Sequence, residues 1–498
     1  MIDTKFLSTL NEFFKRTISK PTMKKLILVL VAIFVVLAAV VVFNTLSLSS
    51  KQVGSEPVAS MDFPGTAFQN LSKAVQYKTI SFGDDVMPDS TAFHGFHQFL
   101  GEAYPLLHQN LSLEKINEYS LLYKWEGSDP SLNPIVLLSH QDVVPVDEPT
   151  LTEWEAGPFE GKITDSHIIG RGTLDDKSSL MALMESVEVL LQESFVPKQT
   201  IYLAFGHDEE IGGGNGAKAI AKYLKDKGVR AAMTLDEGGF LAENMIPDFD
   251  KVIAMVNLAE KGYASFNLIV KTGGGHSSAP PEENTLGMLA QAIVDLENNQ
   301  RPYKLVKPID YQFEYMGAEM SFFKKMAFAN PWLFKGPVLK ALNAHTTTAP
   351  TIIEGGVKDN VIPTVGKATI NFRILPGETI ESVKQHIQET VGERIEVELA
   401  GKFATNPSPV SGIDSDAFKN LEKTIRSVFP ESVVVPGLIG GGTDARYFYD
   451  ISDDVYRFYP VRVNPNSMSM FHGIDEKISK DNYKEMIVFT YNLIKRFN

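Results

Sequence analysis

The chain has 498 residues and a formal net charge of −14, with 44% hydrophobic and 22% charged residues. This length exceeds what one hydrophobic core normally supports, so two or more domains are expected. The acidic balance, without any basic stripe in the sequence, excludes a nucleic-acid-binding protein. There are no cysteines, which excludes disulfides, thiolate catalysis and cysteine-based zinc sites. Any metal must therefore be held by His, Asp and Glu.

An unbroken apolar run of 18 residues, Leu26 to Phe43, stands near the N-terminus and is long enough to cross a bilayer. It is preceded by six basic residues against two acidic ones: Lys5, Lys15, Arg16, Lys20, Lys24 and Lys25 against Asp3 and Glu12. The positive-inside bias predicts a single-pass protein with residues 1–25 in the cytoplasm, a transmembrane anchor over 26–44, and the remainder in the periplasm or an organelle lumen. A cleaved signal peptide is the alternative, but the long N-terminal region and the poor cleavage site favour the anchor.

After a polar, Gly- and Pro-containing stretch over 45–64, predicted as a linker, strands alternate with helices along the chain. Buried strands are predicted at 134–140, 201–206 and 231–236, with helices at 176–192 and from about 215. This alternation indicates an α/β domain with a mainly parallel sheet covered on both faces. We expect it to be the catalytic domain, with its first part over 65–261.

The pattern changes after Lys261. In chain order it predicts a strand at 263–271, a helix at 285–298, strands at 350–356 and 367–375, a helix at 380–392 and a strand at 395–401. This βαββαβ order predicts a smaller ferredoxin-like α+β domain over 262–401, inserted as a lid or dimerisation domain. The α/β texture returns over 402–498, the second part of the catalytic domain. The crevice between the two domains is the expected place for a site.

Acidic residues and a histidine cluster at the ends of predicted strands and at one helix start. These residues are His140, Asp142, Asp175, Asp176, Asp208, Glu209, Glu210, Asp236 and Glu237. Any one of them is most often a helix cap or a solvated charge. The carboxyl ends of parallel strands meet at one edge of a sheet, however, and so many carboxylates share an edge only if cations neutralise them. Histidine with Asp and Glu, without Cys, indicates zinc or a similar divalent ion, and two of them.

Seven ordered motifs carry a family resemblance. They are HQDVVPV, GRGTLDDKSS, HDEEIGG, GGGHSSAPP, GGVKDNVIP followed by FRILPG, GGTDARYF and FHGIDEK. In this order they closely resemble the dizinc peptidases, which include aminoacylase, acetylornithine deacetylase, the glutamate carboxypeptidases and carboxypeptidase S. The resemblance runs from about residue 65 to the C-terminus. The anchor and a long insert in the small domain most resemble carboxypeptidase S and the related fatty-acyl amino acid hydrolases/synthases.

The resemblance implies a ligand set for two Zn²⁺ ions per chain. Asp175 would bridge both metals, which lie about 3.5–4 Å apart in such sites. One acid of the pair Asp236 and Glu237 would be a ligand, and the spacing leaves open which. The other implied ligands are His140, Glu210 and His472.

The resemblance also implies which residues act on the reaction. Asp142 would hold the His140 ring by a hydrogen bond. Glu209 would be the general base, so that two adjacent glutamates, Glu209 and Glu210, have separate tasks. His276, on the small domain, would stabilise the tetrahedral oxyanion, often across a dimer in relatives, so a homodimer through the small domain is a candidate assembly.

Substrate binding is the third role that the resemblance implies. Asn360 would help to place the substrate or its carboxylate. Arg373 would either do the same or form a structural salt bridge. The backbone N–H groups of Gly441, Gly442 and Thr443 would meet a free C-terminal carboxylate.

A segment between residues 301 and 348 is dense in aromatic residues and methionine. One interpretation is a helical insert that packs on the small domain or on a dimer partner. The other is an apolar wall for a long acyl chain, or a surface that faces the bilayer.

The expected function is that of a membrane-anchored zinc amidohydrolase. It would release a C-terminal amino acid with a free carboxylate from a small N-acyl amino acid or a peptide. The alternatives are a fatty-acyl amino acid synthase/hydrolase acting on lipid substrates, and a non-catalytic binding protein that keeps the fold.

Overall fold

The structure is a computed structural model, and it describes residues 20–58, 61, 65–83, 86–247, 249–401 and 403–497. Residues 1–19, most of the predicted cytoplasmic segment, lie outside the described residues. The same holds for five residues of the predicted linker, at 59, 60 and 62–64.

The elements alternate as the sequence predicts. The helices are α1 (Lys20–Ser47), α2 (Ala67–Gln76), α3 (Ser90–Ala103), α4 (Pro105–Asn110), α5 (Lys177–Gln192), α6 (Ala217–Asp226), α7 (Thr285–Asn298), α8 (Lys307–Gly317), α9 (Phe322–Ala329), α10 (Pro331–Ala341), α11 (Ile380–Val391), α12 (Asp416–Val428) and α13 (Lys480–Arg496). Short 3₁₀ turns lie at Glu148–Glu153, Glu209–Ile211, Asp444–Tyr447 and Ser467–Met470.

The strands, in chain order, fall into one large sheet, one smaller sheet and two short ones. They are β1 (Ser112–Ile116), β2 (Ser120–Trp125), β3 (Ile135–His140), β4 (Lys162–Ile163), β5 (His167–Ile169), β6 (Ile201–Gly206), β7 (Met233–Asp236), β8 (Leu241–Ala242), β9 (Ile253–Glu260), β10 (Gly262–Lys271), β11 (Gly275–His276), β12 (Thr347–Gly355), β13 (Val361–Ile362), β14 (Val365–Ile374), β15 (Glu396–Leu399), β16 (Val433–Ile439), β17 (Val455–Arg457), β18 (Arg462–Val463) and β19 (Lys477–Ser479).

The large sheet has a parallel centre. Its order is β1-β2-β6-β3-β7-β17-β9-β8-β18, with β16 pairing on β9, and the neighbours β6, β3, β7 and β17 are parallel. Every residue of β3 is buried, as expected for a strand covered on both faces. Its alternate residues join two cores: Ile135 and Leu137 pack towards α5 and α13, and Val136 and Leu138 pack towards α6. The predicted mainly parallel α/β architecture is confirmed.

The smaller sheet has the order β12-β14-β10-β15 and is antiparallel throughout. Alternate residues of β10 are buried, and they share a core with α7 and α11. The chain order β10-α7-β12-β14-α11-β15 is the predicted ferredoxin-like βαββαβ arrangement. The division of the chain at 262 and 401 remains a prediction, and the four strands lie between Gly262 and Leu399.

The helical insert α8–α10 packs on the large sheet, which differs from the interpretation that it packs on the small domain. Its packing on a dimer partner remains a prediction. Met316 and Met320 lie in one core cluster with Val433 and Val435 of β16. The physical reason is the position of β16, whose recorded pairing in the described chain is with β9 alone. Its apolar side chains therefore need a cover that the sheet itself does not supply.

Helix α1 is the one helix in the described part of the chain that is long and apolar enough to cross a membrane, over Lys24–Ser47, with a mean hydropathy of 3.6. Its apolar side chains are exposed along most of its length. At its C-terminal end the side-chain amide of Asn44 donates to Oδ1 of Asn330 at 3.0 Å. The helix therefore contacts the insert where its apolar run ends.

Candidate active site

His140 is the last residue of β3 and is held by Asp142, two residues further along. The ring Nδ1 lies 3.0 Å from the Asp142 carbonyl oxygen and 3.3 Å from its Oδ1, and both residues are buried. A proton on Nδ1 leaves Nε2 with a free lone pair, which is the state a metal ligand needs. These contacts are the ones that Asp142 needs for its predicted role of orienting the His140 ring.

Asp142 has a second task that the sequence did not reveal. Its Oδ1 accepts from the backbone N–H of Glu209 at 3.1 Å, and its Oδ2 accepts from that of Glu210 at 3.2 Å. One buried carboxylate therefore orients the imidazole of His140 and also fixes the turn that carries both glutamates. The sequence signal is weak, because an acid two residues after a histidine does not reveal a contact 67 residues away.

Asp175 lies between two histidines. Its Oδ1 is 3.0 Å from Nε2 of His140, and its Oδ2 is 3.1 Å from Nε2 of His472. Nε2 of His472 is also 3.2 Å from Oε2 of Glu210. A carboxylate that points one oxygen at each of two imidazoles has the arrangement of a ligand bridging two cations.

Glu237, and not Asp236, lies with the ligand atoms. Its Oε1 is 3.5 Å from Nε2 of His140. Asp236, the last residue of β7, points elsewhere, and its Oδ2 accepts from the backbone N–H of Ala445 at 2.7 Å. Successive side chains at a strand end point to opposite sides, which separates the two acids. Ligand atoms lie within 4.8 Å of one another in two groups, His140–Glu209–Glu237 and His140–Asp175–Glu210.

The protonation behaviour of the cluster reflects crowded, buried carboxylates. Burial, with the nearby Asp175 carboxylate, raises the pKa of Glu210 to about 7. Burial also raises the pKa of Glu209 and of Glu237 well above the ordinary value. Hydrogen bonds to Asp175 and Glu210 raise the pKa of His472 to about 10. Without further positive charge, burial therefore holds these acids towards their neutral form.

Divalent cations fit this donor set. Oε1 of Glu210 is buried and lacks a hydrogen-bond partner among the described residues, as expected for an oxygen reserved for a metal. The donors are imidazole nitrogens and carboxylate oxygens, a set typical of zinc and related ions. The residues that could hold two ions are His140, Asp175, Glu210, Glu237 and His472.

A buried ion pair that the motifs did not predict positions two of these residues. Glu476 accepts from Nη1 of Arg171 at 2.6 Å, and its Oε1 accepts from the backbone N–H groups of Gly172 and Leu174 at 2.9 and 2.7 Å and from that of Asp175 at 3.2 Å. Nη2 of Arg171 donates to the carbonyl oxygen of His472 at 3.2 Å. The pair therefore joins the loop of Asp175 to the loop of His472. Arg171 lies in the motif GRGTLDDKSS and Glu476 in the motif FHGIDEK, so the sequence marked both residues but not their contact.

The loop of Gly441, Gly442 and Thr443, predicted to bind a substrate carboxylate, contacts a carboxylate of the protein itself at Thr443. The backbone N–H of Thr443 donates to Oε2 of Glu260 at 3.1 Å. Gly442 and Thr443 line the cleft, while Gly441 lies beside them and is half-buried. Arg373 reaches this loop from the small domain, donating to the Gly440 carbonyl oxygen at 3.3 Å.

His276 and Asn360 lie together on an exposed part of the small domain, outside the cleft. His276 is in β11, paired with Val361 of β13, and its Nδ1 accepts from Oγ of Ser278 at 2.8 Å. The carbonyl oxygen of Asn360 accepts from the backbone N–H of Ser277 at 3.2 Å. The structure brings these two predicted residues to each other but does not bring them to the acid cluster.

The cleft encloses about 250 Å³ and has one polar and one apolar side. The polar side is formed by the acid cluster. The other side is formed largely by Leu174, Phe240, Ile439, Tyr459, Val461, Met468 and Phe471. A substrate that places an amide at the acids has apolar surface available beside it.

The model of Peptidase family M20/M25/M40 matches residues 136–496. The chain belongs to this peptidase family. It is 39% identical to the probable carboxypeptidase S-like 2 of Dictyostelium discoideum over 500 residues, covering 96% of this chain and 95% of that protein. It is 38% identical to the N-fatty-acyl-amino acid synthase/hydrolase PM20D1 of Homo sapiens over 441 residues, covering 85% and 86%. It is 31% identical to carboxypeptidase S of Saccharomyces cerevisiae over 505 residues, covering 88% and 85%.

The M20 family metallo-carboxypeptidase Sso-CP2 from Sulfolobus solfataricus shares the fold, with a TM-score of 0.65, 20% identity, and coverage of 88% of this chain and 99% of that one. The predicted family, its carboxypeptidase S and fatty-acyl branch, and the metallopeptidase class are therefore confirmed. The chain is an M20 hydrolase with candidate metal-ligand groups. The role of each site residue remains a prediction.

Proposed function

We propose that this protein is a two-zinc amidohydrolase that releases an amino acid with a free carboxylate from an N-acyl amino acid or a peptide. The observation that carries the proposal is the position of Asp175, with one oxygen at 3.0 Å from the His140 imidazole and the other at 3.1 Å from the His472 imidazole. Beside it, Glu210 and Glu237 complete a set of donors for two ions. A non-catalytic binding protein has no need for Glu209 in the same cluster.

The proposed ligands leave Glu209 for proton transfer. Zinc ions, when bound, polarise the scissile carbonyl and lower the pKa of a water molecule. Glu209 then takes a proton from the attacking water as its oxygen adds to the carbonyl carbon, and it delivers that proton to the amine nitrogen when the C–N bond breaks. Burial raises the pKa of the Glu209 carboxyl above its ordinary value.

Two arginines lie near the loop that is proposed to bind the substrate carboxylate. Nη2 of Arg446 lies 3.8 Å from Oε1 of Glu209. The Arg446 guanidinium is also close to Gly442, because a Cβ added to this glycine would lie 2.6 Å from Nη2. Arg373 contacts the neighbouring carbonyl oxygen of Gly440 and lies over the Tyr263 ring at 4.8 Å. We propose Arg373 with Gly441, Gly442 and Thr443 as the carboxylate-binding region.

His276 and Asn360 remain proposed substrate residues of the small domain. Both lie outside the cleft of their own chain, so a second copy of the small domain would have to supply them. This proposal therefore requires the homodimer that the family resemblance implies.

A fatty acyl group is the second candidate for the acyl side of the substrate. The apolar side of the cleft favours it, because Phe240, Ile439, Met468 and Phe471 lie beside the acids. Burial of a methylene group contributes about 0.8 kcal/mol, so a long chain gains much more from this wall than a short peptide does. We propose that the enzyme prefers long acyl chains. At high amine and fatty acid concentrations it would also form the amide.

We further propose that α1 is a membrane anchor with its N-terminus in the cytoplasm and the enzyme outside. The length and mean hydropathy of 3.6 of the candidate span support crossing, and the basic residues before it support the orientation.

The test is amino acid release by the zinc-loaded full chain in detergent. Matched substrates carry one C-terminal residue, one set with long acyl chains and the other with short peptides, and zinc content is measured first. Glu209→Gln and a chelator serve as controls. Preferential release from the acylated set, lost in both controls, is the expected result.

Release from peptides alone would restrict the enzyme to carboxypeptidase activity. Absence of release from both sets, with zinc verified in the protein, would overturn the proposed substrate class.

A further inference from the structure

We propose that the tip of the helical insert, formed by Phe322, Phe323, Trp332 and Leu333, is inserted into the lipid headgroup–acyl boundary beside the anchor. We call these four residues the insert tip. The inference rests on the proposed membrane anchor and adds a second, peripheral contact with the same bilayer. This contact would fix how the catalytic body stands on the membrane.

The insert tip is an exposed group of large apolar side chains. Phe322 is 47% exposed, Phe323 78%, Trp332 55% and Leu333 53%. All four lie in the first two or three residues of α9 or α10. Other side chains of α10, such as Val338 and Leu339, are buried against α8. Such a group on a well-packed support is typical of a surface that meets an apolar partner.

The position of Asn330 sets the depth of the insert tip. Asn330 is fully buried, and its Nδ2 lies 3.2 Å from the Val41 carbonyl oxygen and 3.3 Å from Oγ1 of Thr45. Asn44 is the first polar residue after the apolar run, so it lies at the membrane boundary when α1 spans the bilayer. Trp332 and Leu333 follow Asn330 by two and three residues. Trp332 and Leu333 are therefore held at the level of the headgroups, where tryptophan is enriched in membrane proteins.

The chain between the anchor and the catalytic body is attached to that body. Lys51 forms an ion pair with Glu314 of α8 at 3.5 Å. The amide of Gln52 pairs with both backbone groups of Val434 on β16, at 2.7 and 2.9 Å. The backbone N–H of Val58 donates to the carbonyl oxygen of Ser427 at 3.0 Å. Residues 48–58 therefore restrict the orientation of the body relative to α1, which keeps the insert tip on the membrane side.

The local charge of the insert also suits a lipid surface. Residues 321–341 contain four lysines and no acidic residue, although the whole chain has a net charge of −14. The lysines are Lys324, Lys325, Lys335 and Lys340. Lysines near an anionic bilayer are attracted to its surface. A basic, aromatic surface next to a membrane span is the pattern of an interfacial helix.

The expected consequence concerns the substrate. Leu438 of β16 packs against the insert, and the next residue, Ile439, lines the apolar side of the cleft. The insert therefore lies between the bilayer and the wall proposed for the acyl chain. An N-acyl amino acid dissolved in the membrane would leave the bilayer beside that wall.

Trp332 provides a direct test, because the chain has three tryptophans and the other two, Trp125 and Trp154, are buried at 5% and 8% exposure. The full chain is reconstituted into vesicles of phosphatidylcholine and phosphatidylserine, with part of the phosphatidylcholine brominated near the headgroup end of its acyl chains. Trp332→Phe gives the emission of the two buried tryptophans for subtraction. We expect brominated lipid to quench the Trp332 emission, as for an indole at headgroup level.

Two outcomes would overturn the proposal. Quenching of Trp332 by aqueous iodide with no effect of brominated lipid would place the insert tip in water. Protection from both quenchers, with crosslinks between copies, would assign it to a second copy of the chain. The measurement needs no substrate, so its failure is distinct from a failure of the proposed activity.

A kinetic comparison separates lipid contact from a loss of folding. Phe323→Ser with Leu333→Ser should lower kcat/KM about tenfold, equivalent to about 1.4 kcal/mol, for a long-chain substrate presented in vesicles, because two apolar side chains are removed from the lipid contact. The same variant should keep the activity of the original protein on a water-soluble, short-acyl substrate. An equal loss on both substrates would contradict the membrane role.

Discussion

At the scale of single residues, neighbouring acids have different tasks because their surroundings differ. Asp236 accepts a backbone N–H from Ala445, whereas Glu237, the next residue, faces His140. Glu209 and Glu210 share the turn held by Asp142, yet Glu210 approaches His472 and Glu209 approaches Arg446. Chemical type alone does not distinguish the members of either pair. The backbone direction at each strand end does.

The buried carboxylate of Glu476 gives the first prediction. Glu476→Gln leaves the Arg171 guanidinium buried without a counter-charge, which should cost about 3 kcal/mol of unfolding free energy. Because Glu476 also holds the backbone of Asp175, zinc affinity should fall about 10–100-fold. Denaturant unfolding and a zinc titration measure the two effects. The exposed Glu354→Gln is the matched control, and zinc affinity unchanged in Glu476→Gln would contradict the positioning role.

Gly213 gives the second prediction. Its φ is +67°, and an added Cβ would lie 2.1 Å from Oδ1 of Asp444. Gly213→Ala should therefore destabilise the protein by about 2 kcal/mol and disturb the turn after Glu210. Gly214→Ala is the matched control, because nothing lies within 4 Å of its added Cβ. Thermal unfolding compares them, and equal Tm values for the two variants would refute the steric argument.

At the scale of elements, β16 connects the parts of the molecule. It pairs with β9 in the large sheet, its side chains meet α8, and its backbone at Val434 meets Gln52 from the segment after the anchor. Its last residue, Ile439, lines the cleft. A single strand therefore contacts the sheet, the insert, the anchor segment and the site. The sequence indicated an α/β region here without these contacts.

Helix α12, which lies under the anchor segment, gives the third prediction. Burial raises the pKa of Glu422 to about 7. A hydrogen bond from the Val53 backbone and the positive charges of Arg426 and Lys423 lower the pKa, but their effect is smaller than that of burial. Between its ordinary pKa and about 7 the folded state binds more protons than the unfolded state. This carboxyl therefore lowers stability as pH rises through that range. Glu422→Gln should be more stable than the original protein by about 2 kcal/mol at pH 8, with little difference at pH 4.5.

The measurement for Glu422→Gln is unfolding in denaturant at both pH values. The exposed Glu381→Gln on α11 is the control and should follow the original protein. A gain for Glu422→Gln that is the same at both pH values would disprove the titration argument.

The attachment of the anchor segment gives the fourth prediction. The chain has no cysteine, so Lys51→Cys with Glu314→Cys introduces the only two thiols. Their parent side chains lie 3.5 Å apart, and a short bis-maleimide should join them within one chain. The crosslinked peptide is identified by mass spectrometry. Lys51→Cys with Glu297→Cys, on the small domain, is the control, and equal yields for the two pairs would indicate a freely moving segment.

At the scale of the whole molecule, metal ions are expected to link site and stability. Chelation should abolish amino acid release and should lower the unfolding free energy, by about 4 kcal/mol where free zinc had been 1,000-fold above its Kd. The reason is that buried carboxylates lose their counter-charge. Scanning calorimetry and a release assay measure both effects. Readdition of zinc should restore amino acid release and the unfolding free energy. Glu209→Gln should keep the stabilisation by zinc but lack activity. A Tm that is insensitive to chelation would count against a buried metal site.

The sequence by itself determined the local elements, the family and most of the acid cluster. Hydrophobic period and length predicted β3, α5, β6 and the βαββαβ order, because these properties depend on neighbouring residues. Seven motifs in one order identified the M20 family, whose model covers residues 136–496.

Tertiary structure alone decided the contacts between distant segments. It placed the insert on β16 rather than on the small domain, selected Glu237 rather than Asp236 to face His140, and revealed the Arg171–Glu476 pair. It also left His276 outside the cleft of its own chain. These contacts depend on strand order, on side-chain direction at strand ends and on pairs about 300 residues apart in sequence. Local patterns carry no record of such pairings, because they arise only when the sheets assemble.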